Sequence, residues 1–210
     1  MADHSRAFGK AYRALHADLR SGRFAPGTRI AASDLGPRLQ VSATPIREAL
    51  SRLAGQSLLI DRPAIGYFVP TVDPIELKDI YAFAATLALG ALATLTEGAI
   101  AGLVKSHSER SRHRTAGELV RAIGSASPNL VLQKVAVNID DRLARLSEVE
   151  THMLLAADQS EGNLEDWLAW PSRRQTVQGI SRFYRRRILA VMEIASTASR
   201  TLGNPDNIVT

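Results

Sequence analysis

The residues best suited to binding chemistry lie in one short segment, residues 41–53 of the 210-residue chain. Two small polar residues, Ser42 and Thr44, open this segment, and Arg47 follows one helical turn later. If the segment is a helix, its free N–H groups favour an anion such as phosphate, and Arg47 can reach a guanine edge or a phosphate. Arg52 lies further along, where we expect a phosphate contact. The segment therefore predicts a helix whose N-terminal end enters the major groove of DNA.

Other chemistries find little support in the residue types. The chain has no cysteine, which excludes a disulfide scaffold, a cysteine nucleophile and a thiolate zinc site. The acidic neighbours Asp140 and Asp141 would point apart on a helix, so they are poor partners for acid–base catalysis. We find no phosphate loop and no Ser-His-Asp arrangement. The sequence therefore predicts a protein that is not an enzyme.

The excess positive charge is concentrated in the first third of the chain. The whole chain has 26 Lys and Arg against 21 Asp and Glu, a net charge of +5. Residues 1–72 contain 10 basic and 5 acidic residues, which leaves 16 of each in residues 73–210. A small basic domain joined to a neutral one indicates a polyanion partner, with nucleic acid as the leading candidate. Solubility alone remains the alternative explanation.

Residues 1–72 have the pattern of three helices followed by a β-hairpin. Apolar residues recur at helical spacing before Ser21-Gly22 and again after Ser42. Ser33 is expected to cap a short second helix over residues 33–39, and Ser42 a third. Strands are expected at residues 58–60 and 67–69, joined by a turn-rich segment. Three helices and a hairpin wing predict a winged helix-turn-helix domain.

After Pro70 the strand signals disappear, and residues 73–210 predict an all-α antiparallel bundle of four to six helices. The first helix should begin after Asp73 and continue to about Val104. A capping box is expected at Thr115–Glu118, and long helices after Ser127-Pro128 and from Val177 to Gly203. Residues 80–96 carry no charge, but this run of 17 is shorter than the roughly 20 apolar residues of a membrane span. We expect a buried core helix and no membrane partner.

Residues 12–69 resemble the DNA-binding domain of the GntR family of bacterial transcription regulators. The matching pieces include Pro26-Gly27-Thr28-Arg29-Ile30, Thr44-Pro45-Ile46-Arg47-Glu48-Ala49-Leu50 and Gly66-Tyr67-Phe68-Val69. The resemblance implies a dimer that binds a palindromic double-stranded operator.

One departure from the family pattern is Ala43, where the family usually has Arg. The predicted DNA-binding residues are Arg29, Ser33, Ser42, Ala43, Thr44, Pro45, Arg47, Arg52, Arg62 and Gly66. Glu48 is expected to pair with a nearby Arg. A winged helix used for protein contacts is the alternative.

Residues 73–210 resemble the all-helical ligand-binding and dimerisation domain of the FadR subfamily, the FCD type. Many members of that subfamily place one Asp and three His around a divalent metal that binds a carboxylate effector. The matching positions here hold Ala116, Val120 and Arg173, and the fourth falls near Ala195. Alanine and valine side chains cannot bind a cation. We therefore expect no metal and no other cofactor in a shortened, degenerate version of this domain.

An apolar effector pocket is the remaining option for the second domain. Its candidate lining residues are Tyr81, Val120, Asn129, Arg173 and Tyr184, although ordinary core packing is the better explanation for any one of them. Arg182 and the run Arg185-Arg186-Arg187 are interpreted as a solvated helix face or, alternatively, a second DNA contact. His107 and His113 are expected to be exposed, and His152 to lie at the edge of a helix.

These patterns predict a dimeric, sequence-specific DNA-binding transcription regulator, most simply a repressor. A small, metal-independent effector would modulate it, and the protein would act in the cytoplasm, associated with the nucleoid. The alternative is an effector-independent architectural DNA-binding protein with low sequence preference, which the missing Arg at position 43 favours. The ratio of specific to non-specific affinity separates the two.

Overall fold

The computed structural model of the chain describes residues 2–108, 115–160 and 173–203, and it contains two compact units. The first unit consists of Met1–Val72 together with Ser199–Thr210, and the second of Asp73–Ala198. The C-terminal residues from Ser199, which the sequence analysis placed in the second domain, therefore group with the first unit. The backbone N–H of Gly203 donates to the carbonyl of Gly22 at 3.2 Å.

The first unit is the expected winged helix-turn-helix. Its elements are α1 (Ala2–Arg20), β1 (Arg29–Ile30), α2 (Ala32–Leu39), α3 (Ala43–Gly55), β2 (Ile60–Arg62) and β3 (Gly66–Phe68). The three helices bury one apolar face each around Leu15, Ile46 and Leu53, none of which is exposed to solvent. The recurrence of apolar residues every three or four positions produces these faces.

The wing differs from the sequence expectation in its strands. The antiparallel sheet has the order β1-β3-β2. Strand β1 was not predicted, because two residues carry no periodic signal. The first hairpin strand begins at Ile60, since Leu58 and Leu59 are buried in the core before the sheet starts.

Two helix caps in the first unit also differ from expectation. Helix α2 begins after Ala31, and Ser33 lies inside it with its hydroxyl donating to Oδ1 of Asp34 at 2.9 Å. Ser42 does occupy the N-cap position of α3, but its side chain makes no capping hydrogen bond. The N–H groups of the first turn of α3 are therefore not satisfied by that hydroxyl.

The second unit is built from helices. They are α4 (Pro74–Thr94), α5 (Glu97–Ser108), α6 (Ala116–Ala126), α7 (Leu130–Leu143), a 3₁₀ turn (Ala144–Leu146), α8 (Ser147–Ser160), α9 (Arg173–Leu189) and α10 (Val191–Thr201), whose residues from Ser199 group with the first unit. Several expected helices are interrupted: α4 ends at Thr94, the long apolar stripe breaks at the 3₁₀ turn, and the last helix breaks at Ala190. Helix α7 is capped by Asn129 and not opened by Ser127-Pro128. His113 lies outside the described residues.

Helix α4 is the central helix of the second unit. Among the described residues it is the only helix long and apolar enough to cross a membrane by length and composition alone. Seven of its residues are buried, including Tyr81 and Ala84, and it packs on α6, α7 and α9. Its Asp73 cap accepts N–H groups from Ile75 and Glu76 at 2.7 and 3.3 Å. Helix α4 is therefore a core helix of the second unit, as the sequence predicted.

Helices α6 and α7 approach each other closely. Gly117 faces Asp140 so tightly that a Cβ there would lie 2.8 Å from Oδ1 of Asp140. A Cβ on Gly124 would overlap the methyl group of Ala136. The side chain of Asp140 is buried and accepts a hydrogen bond from Arg121 at 2.8 Å. The two glycines thus permit a close helix contact that any larger residue would block.

Candidate functional site

Helix α3 has one buried face and one exposed face. Its buried residues are Pro45, Ile46, Ala49, Leu50 and Leu53. Ser42, Thr44 and Arg47 are exposed at the start of the helix. Pro45, which the sequence placed among the DNA contacts, belongs to the buried face instead, because it lies one helical turn before the buried Ala49. Ala43 is half-buried and packs against the same core.

Arg47 differs from two other arginines of the first unit. Arg38 donates to Asp18 at 2.6 Å, and Arg23 reaches the same carboxylate at 3.4 Å. Within the described part of the chain, Arg47 makes no ion pair, hydrogen bond or ring contact. Its guanidinium is therefore available to a ligand outside the protein.

Arg52 is held against helix α1. Its guanidinium carbon lies 5.5 Å from the ring centroid of Tyr12, and the hydroxyl of Tyr12 donates to Oε1 of Gln56 at 2.9 Å. Such a cation–π contact is worth about 0.5–1 kcal/mol when exposed. Arg52 can still meet a phosphate, but its position is set by the aromatic ring of α1.

The wing carries two arginines on one face of its sheet. Arg29 is paired with Phe68, and Arg62 with Gly66. Residues directly opposite each other, and residues two apart on a strand, share a face, so Arg29, Arg62, Gly66 and Phe68 lie together. The guanidinium carbon of Arg62 lies 4.7 Å from the Phe68 ring centroid. A Cβ on Gly66 would lie 3.2 Å from Nε of Arg29, so the glycine makes room for that side chain.

Glu48 has a different partner from the one expected. Its Oε2 lies 2.9 Å from Nε2 of His4, at the beginning of α1, and not beside an arginine. Both side chains are about half exposed. The pair connects the recognition helix to the first helix across a sequence separation that no local pattern reveals.

The centre of the second unit contains a buried ionic cluster, formed by Tyr81, Glu150, Tyr184, Arg187 and the backbone of Ala116. The side chain of Glu150 is 0% exposed and that of Arg187 is 1% exposed. Oε1 of Glu150 accepts the N–H of Ala116 at 2.7 Å and the Nε–H of Arg187, and Oε2 accepts the hydroxyl of Tyr81 at 3.2 Å. Four helices meet at this cluster, and each charge in it is hydrogen-bonded.

The rest of the cluster completes the hydrogen bonding. The hydroxyl of Tyr184 donates to the carbonyl of Ala116 at 2.9 Å, and Arg187 donates to the carbonyl of Phe183 at 3.1 Å. The guanidinium of Arg187 also stacks on the Phe183 ring. Burial raises the pKa of Tyr81 and of Tyr184 well above the ordinary value, and the negative charge of Glu150 adds to the rise.

The five predicted effector residues do not form one common site through their polar atoms. Tyr81 and Tyr184 belong to the buried cluster, and Val120 is fully buried one turn after Ala116. Asn129 is exposed and caps α7 by accepting the N–H of Val131 at 2.9 Å. Arg173 donates to the carbonyl of Leu95 at 2.5 Å. Both exposed members therefore have structural roles at the ends of helices.

Residues 73–210 resemble a subfamily that binds a metal. The positions here that match its metal ligands lack side chains that could bind a cation. Ala116 presents only backbone groups, and these are bonded to Glu150 and Tyr184. Val120 has no donor atom. No group of three or more His, Cys, Asp or Glu that could hold a metal occurs among the residues that the structure describes. The nearby carboxylate of Glu150 is already bonded to Arg187.

Sequence reasoning missed Glu150 and identified Arg187 only as part of an arginine run. A signal for both was present. Glu150 follows Leu143 and Leu146 at helical spacing, and Arg187 follows Ile180 and Tyr184 in the same way. A charged residue at a position of an apolar stripe, once in each of two helices, indicates a buried pair of opposite charges.

Comparison with known proteins relates both the first unit and most of the chain to transcription regulators. The sequence model described as bacterial regulatory proteins, gntR family, matches residues 9–69. The Nta operon transcriptional regulator of Aminobacter aminovorans is 30% identical over 161 residues, which cover 73% of this chain and 70% of that protein.

Two solved structures share the fold. A transcriptional regulator GntR from Rhodococcus sp. RHA1 has a TM-score of 0.69 at 16% identity and covers 92% of this chain and 99% of its own. The E. coli McbR/YncC structure has a TM-score of 0.60 at 22% identity, covering 89% of this chain and 97% of that one. The matched family consists of transcription regulators and not of enzymes. This chain therefore belongs to the GntR family of bacterial transcription regulators.

Proposed function

We propose that this regulator acts as a homodimer that binds a short palindromic DNA operator and represses transcription by occupying it. The observation that carries the proposal is Arg47, an exposed cation near the start of α3 without a partner in the described part of the chain. A recognition helix meets base edges with its N-terminal residues. A symmetric dimer would present two such helices to two equivalent half-sites.

The other contacts divide by their chemistry. Ser42, Thr44 and the half-buried Ala43 allow the backbone of α3 to approach a phosphate. Arg52, Arg29 and Ser33 would contact the phosphate backbone, which positions the protein without reading sequence. Arg62 and the backbone at Gly66 would place the wing against the minor groove or the adjacent backbone. Arg47 is then the residue that we expect to read a base.

The second unit is proposed as an FCD-type domain of the FadR subfamily, serving dimerisation and binding a small effector without a metal. The exposed side of α4 supports dimerisation, because no charged residue occurs between Asp79 and Glu97. Phe83 on this side is 49% exposed. An uncharged face of this kind is suited to burial against a second copy of the chain. Such a regulator would act in the cytoplasm, at the nucleoid.

A second candidate function is an architectural DNA-binding protein with low sequence preference and no effector. Ala43 is the specific observation that favours it, since the family usually has an Arg there. Loss of one contact would lower the affinity for any operator and leave phosphate contacts dominant. Binding of that kind depends steeply on salt concentration.

One experiment tests both candidates. The purified protein is incubated with sheared genomic DNA from its source organism at near-physiological salt, and the recovered fragments are sequenced. A regulator should enrich a few sites that share a short palindrome. Broad recovery that disappears as salt is raised would contradict sequence-specific regulation and favour the architectural function.

Sedimentation of the free protein should give twice the chain mass of 22.8 kDa, and a monomer would contradict the dimer.

A further inference from the structure

Three hydrogen-bond donors from three different helices converge on one carboxylate in the second unit. They are the Tyr81 hydroxyl from α4, the backbone N–H of Ala116 from α6 and Nε of Arg187 from α9. The carboxylate that they hold belongs to Glu150 on α8. A guanidinium, a phenol and a backbone N–H are the groups that bind a carboxylate ligand in proteins.

The donors have the placement expected of an anion-binding site. Ala116 is the first residue of α6, so its N–H lies at the positive end of the helix dipole. Arg187 is almost completely buried, and its Nη1 donates a hydrogen bond to the carbonyl of Phe183 at 3.1 Å, which orients the guanidinium. A buried guanidinium is stabilised by an anion within hydrogen-bond distance. In the folded chain the carboxylate of Glu150 supplies that anion.

We propose that this cluster is a monocarboxylate-binding site that the chain fills from within, with Glu150 as the occupant. The second unit consequently keeps its helix arrangement without any added anion. External carboxylates are excluded as long as Glu150 is present, and they bind once its side chain has been removed. Ordinary helix packing by a buried ion pair makes no such prediction, because it does not require the remaining pocket to accept a small anion.

The test is chemical rescue of Glu150→Ala. This variant removes the carboxylate and leaves a space lined by Tyr81, Ala116 and Arg187. Its thermal unfolding is compared in about 0.1 M sodium formate, acetate or chloride at constant ionic strength. Formate and acetate should raise the unfolding temperature of Glu150→Ala by about 2–4 °C relative to chloride, because a ligand that binds only the folded state stabilises it.

Two controls separate specific binding from a general salt effect. The wild-type protein and Glu148→Ala, which removes an exposed glutamate two residues earlier, should show no difference between formate and chloride. The double variant Glu150→Ala/Arg187→Met, which lacks the cation, should also show none. An equal response of all four proteins, or no response of Glu150→Ala, would overturn the proposal.

A folding defect does not prevent the test. If Glu150→Ala is recovered only in unfolded form, it is refolded from urea in formate or in chloride, and the yield of folded protein is compared. A yield several-fold higher in formate supports the site, and an equal yield contradicts it. The readout is the stability of the second unit and not DNA binding, so a negative result leaves the proposed regulatory function untouched.

Discussion

Nε of Arg187 donates to Oε1 of Glu150 at a point where neither side chain reaches solvent. Burying two opposite charges costs several kcal/mol for each ion, and their attraction and hydrogen bonds offset that cost only in favourable geometry. Here the carboxylate accepts three hydrogen bonds and the guanidinium is bonded to Glu150 and to the carbonyl of Phe183. Removing the guanidinium would leave the carboxylate of Glu150 buried without this opposite charge.

We therefore expect Arg187→Met to lower the free energy of unfolding of the second unit by about 3–5 kcal/mol. The matched control is Arg185→Met, an exposed arginine of the same helix, which should change the stability by less than about 0.5 kcal/mol. Urea denaturation of the two variants measures the difference. Equal stability of both variants would show that the buried pair contributes nothing.

Tyr81 and Tyr184 give the second unit a stability that depends on alkaline pH. Burial raises the pKa of both phenols in the folded state, and the charge of Glu150 adds to the rise. The stabilisation is fully present below the unfolded pKa of about 10 and is lost as the pH rises through the higher folded value. Unfolding of this unit should therefore begin above about pH 10.

Phenolate absorbance followed along a pH titration measures this effect. The signals of Tyr81 and Tyr184 should appear together with the loss of helical circular dichroism. A double variant, Tyr81→Phe/Tyr184→Phe, should lose that component of the absorbance step. Ionisation of both tyrosines while the helices remain intact would contradict the burial argument.

Arg47→Ala should weaken binding to the selected operator by about 1–3 kcal/mol, or roughly 5- to 150-fold, if Arg47 reads a base. Non-specific binding should fall much less. Arg174→Ala is the charge-matched control, because it removes an exposed arginine from α9. Fluorescence anisotropy with the operator and with a scrambled duplex measures both affinities. An operator affinity unchanged within error would assign base reading to another residue.

The close approach of α6 and α7 makes a prediction about glycine. Gly124→Ala should destabilise the second unit by about 1–3 kcal/mol, because the new methyl group overlaps Ala136. Gly102→Ala is the matched control in α5, where the described part of the chain leaves open space. That substitution should be neutral or stabilise by up to about 1 kcal/mol through helix propensity. Thermal unfolding measures the stability of both variants. Equal changes in the unfolding temperature would contradict the packing explanation.

Local patterns accounted for the winged helix-turn-helix because they act within a few residues of the chain. Apolar residues recurring at helical spacing placed Ile46, Leu50 and Leu53 on the buried face of α3. The capping box was also predicted: Thr115 accepts from the N–H of Glu118 at 3.4 Å, and Glu118 accepts from the N–H of Thr115 at 3.1 Å. Spacing failed where helices break, since a 3₁₀ turn at Ala144–Leu146 preserves an apolar stripe.

The sequence by itself determined the fold class, the basic first unit and the exposed position of Arg47, since each depends on neighbouring residues. Only the tertiary structure decided which groups become partners. Glu48 meets His4 across 44 residues, and Glu150 meets Ala116, Arg187 and Tyr81 across 34, 37 and 69 residues. Such pairs form when packing of apolar faces brings distant helices together. A buried charge then bonds to whichever opposite charge or dipole the packing places within reach.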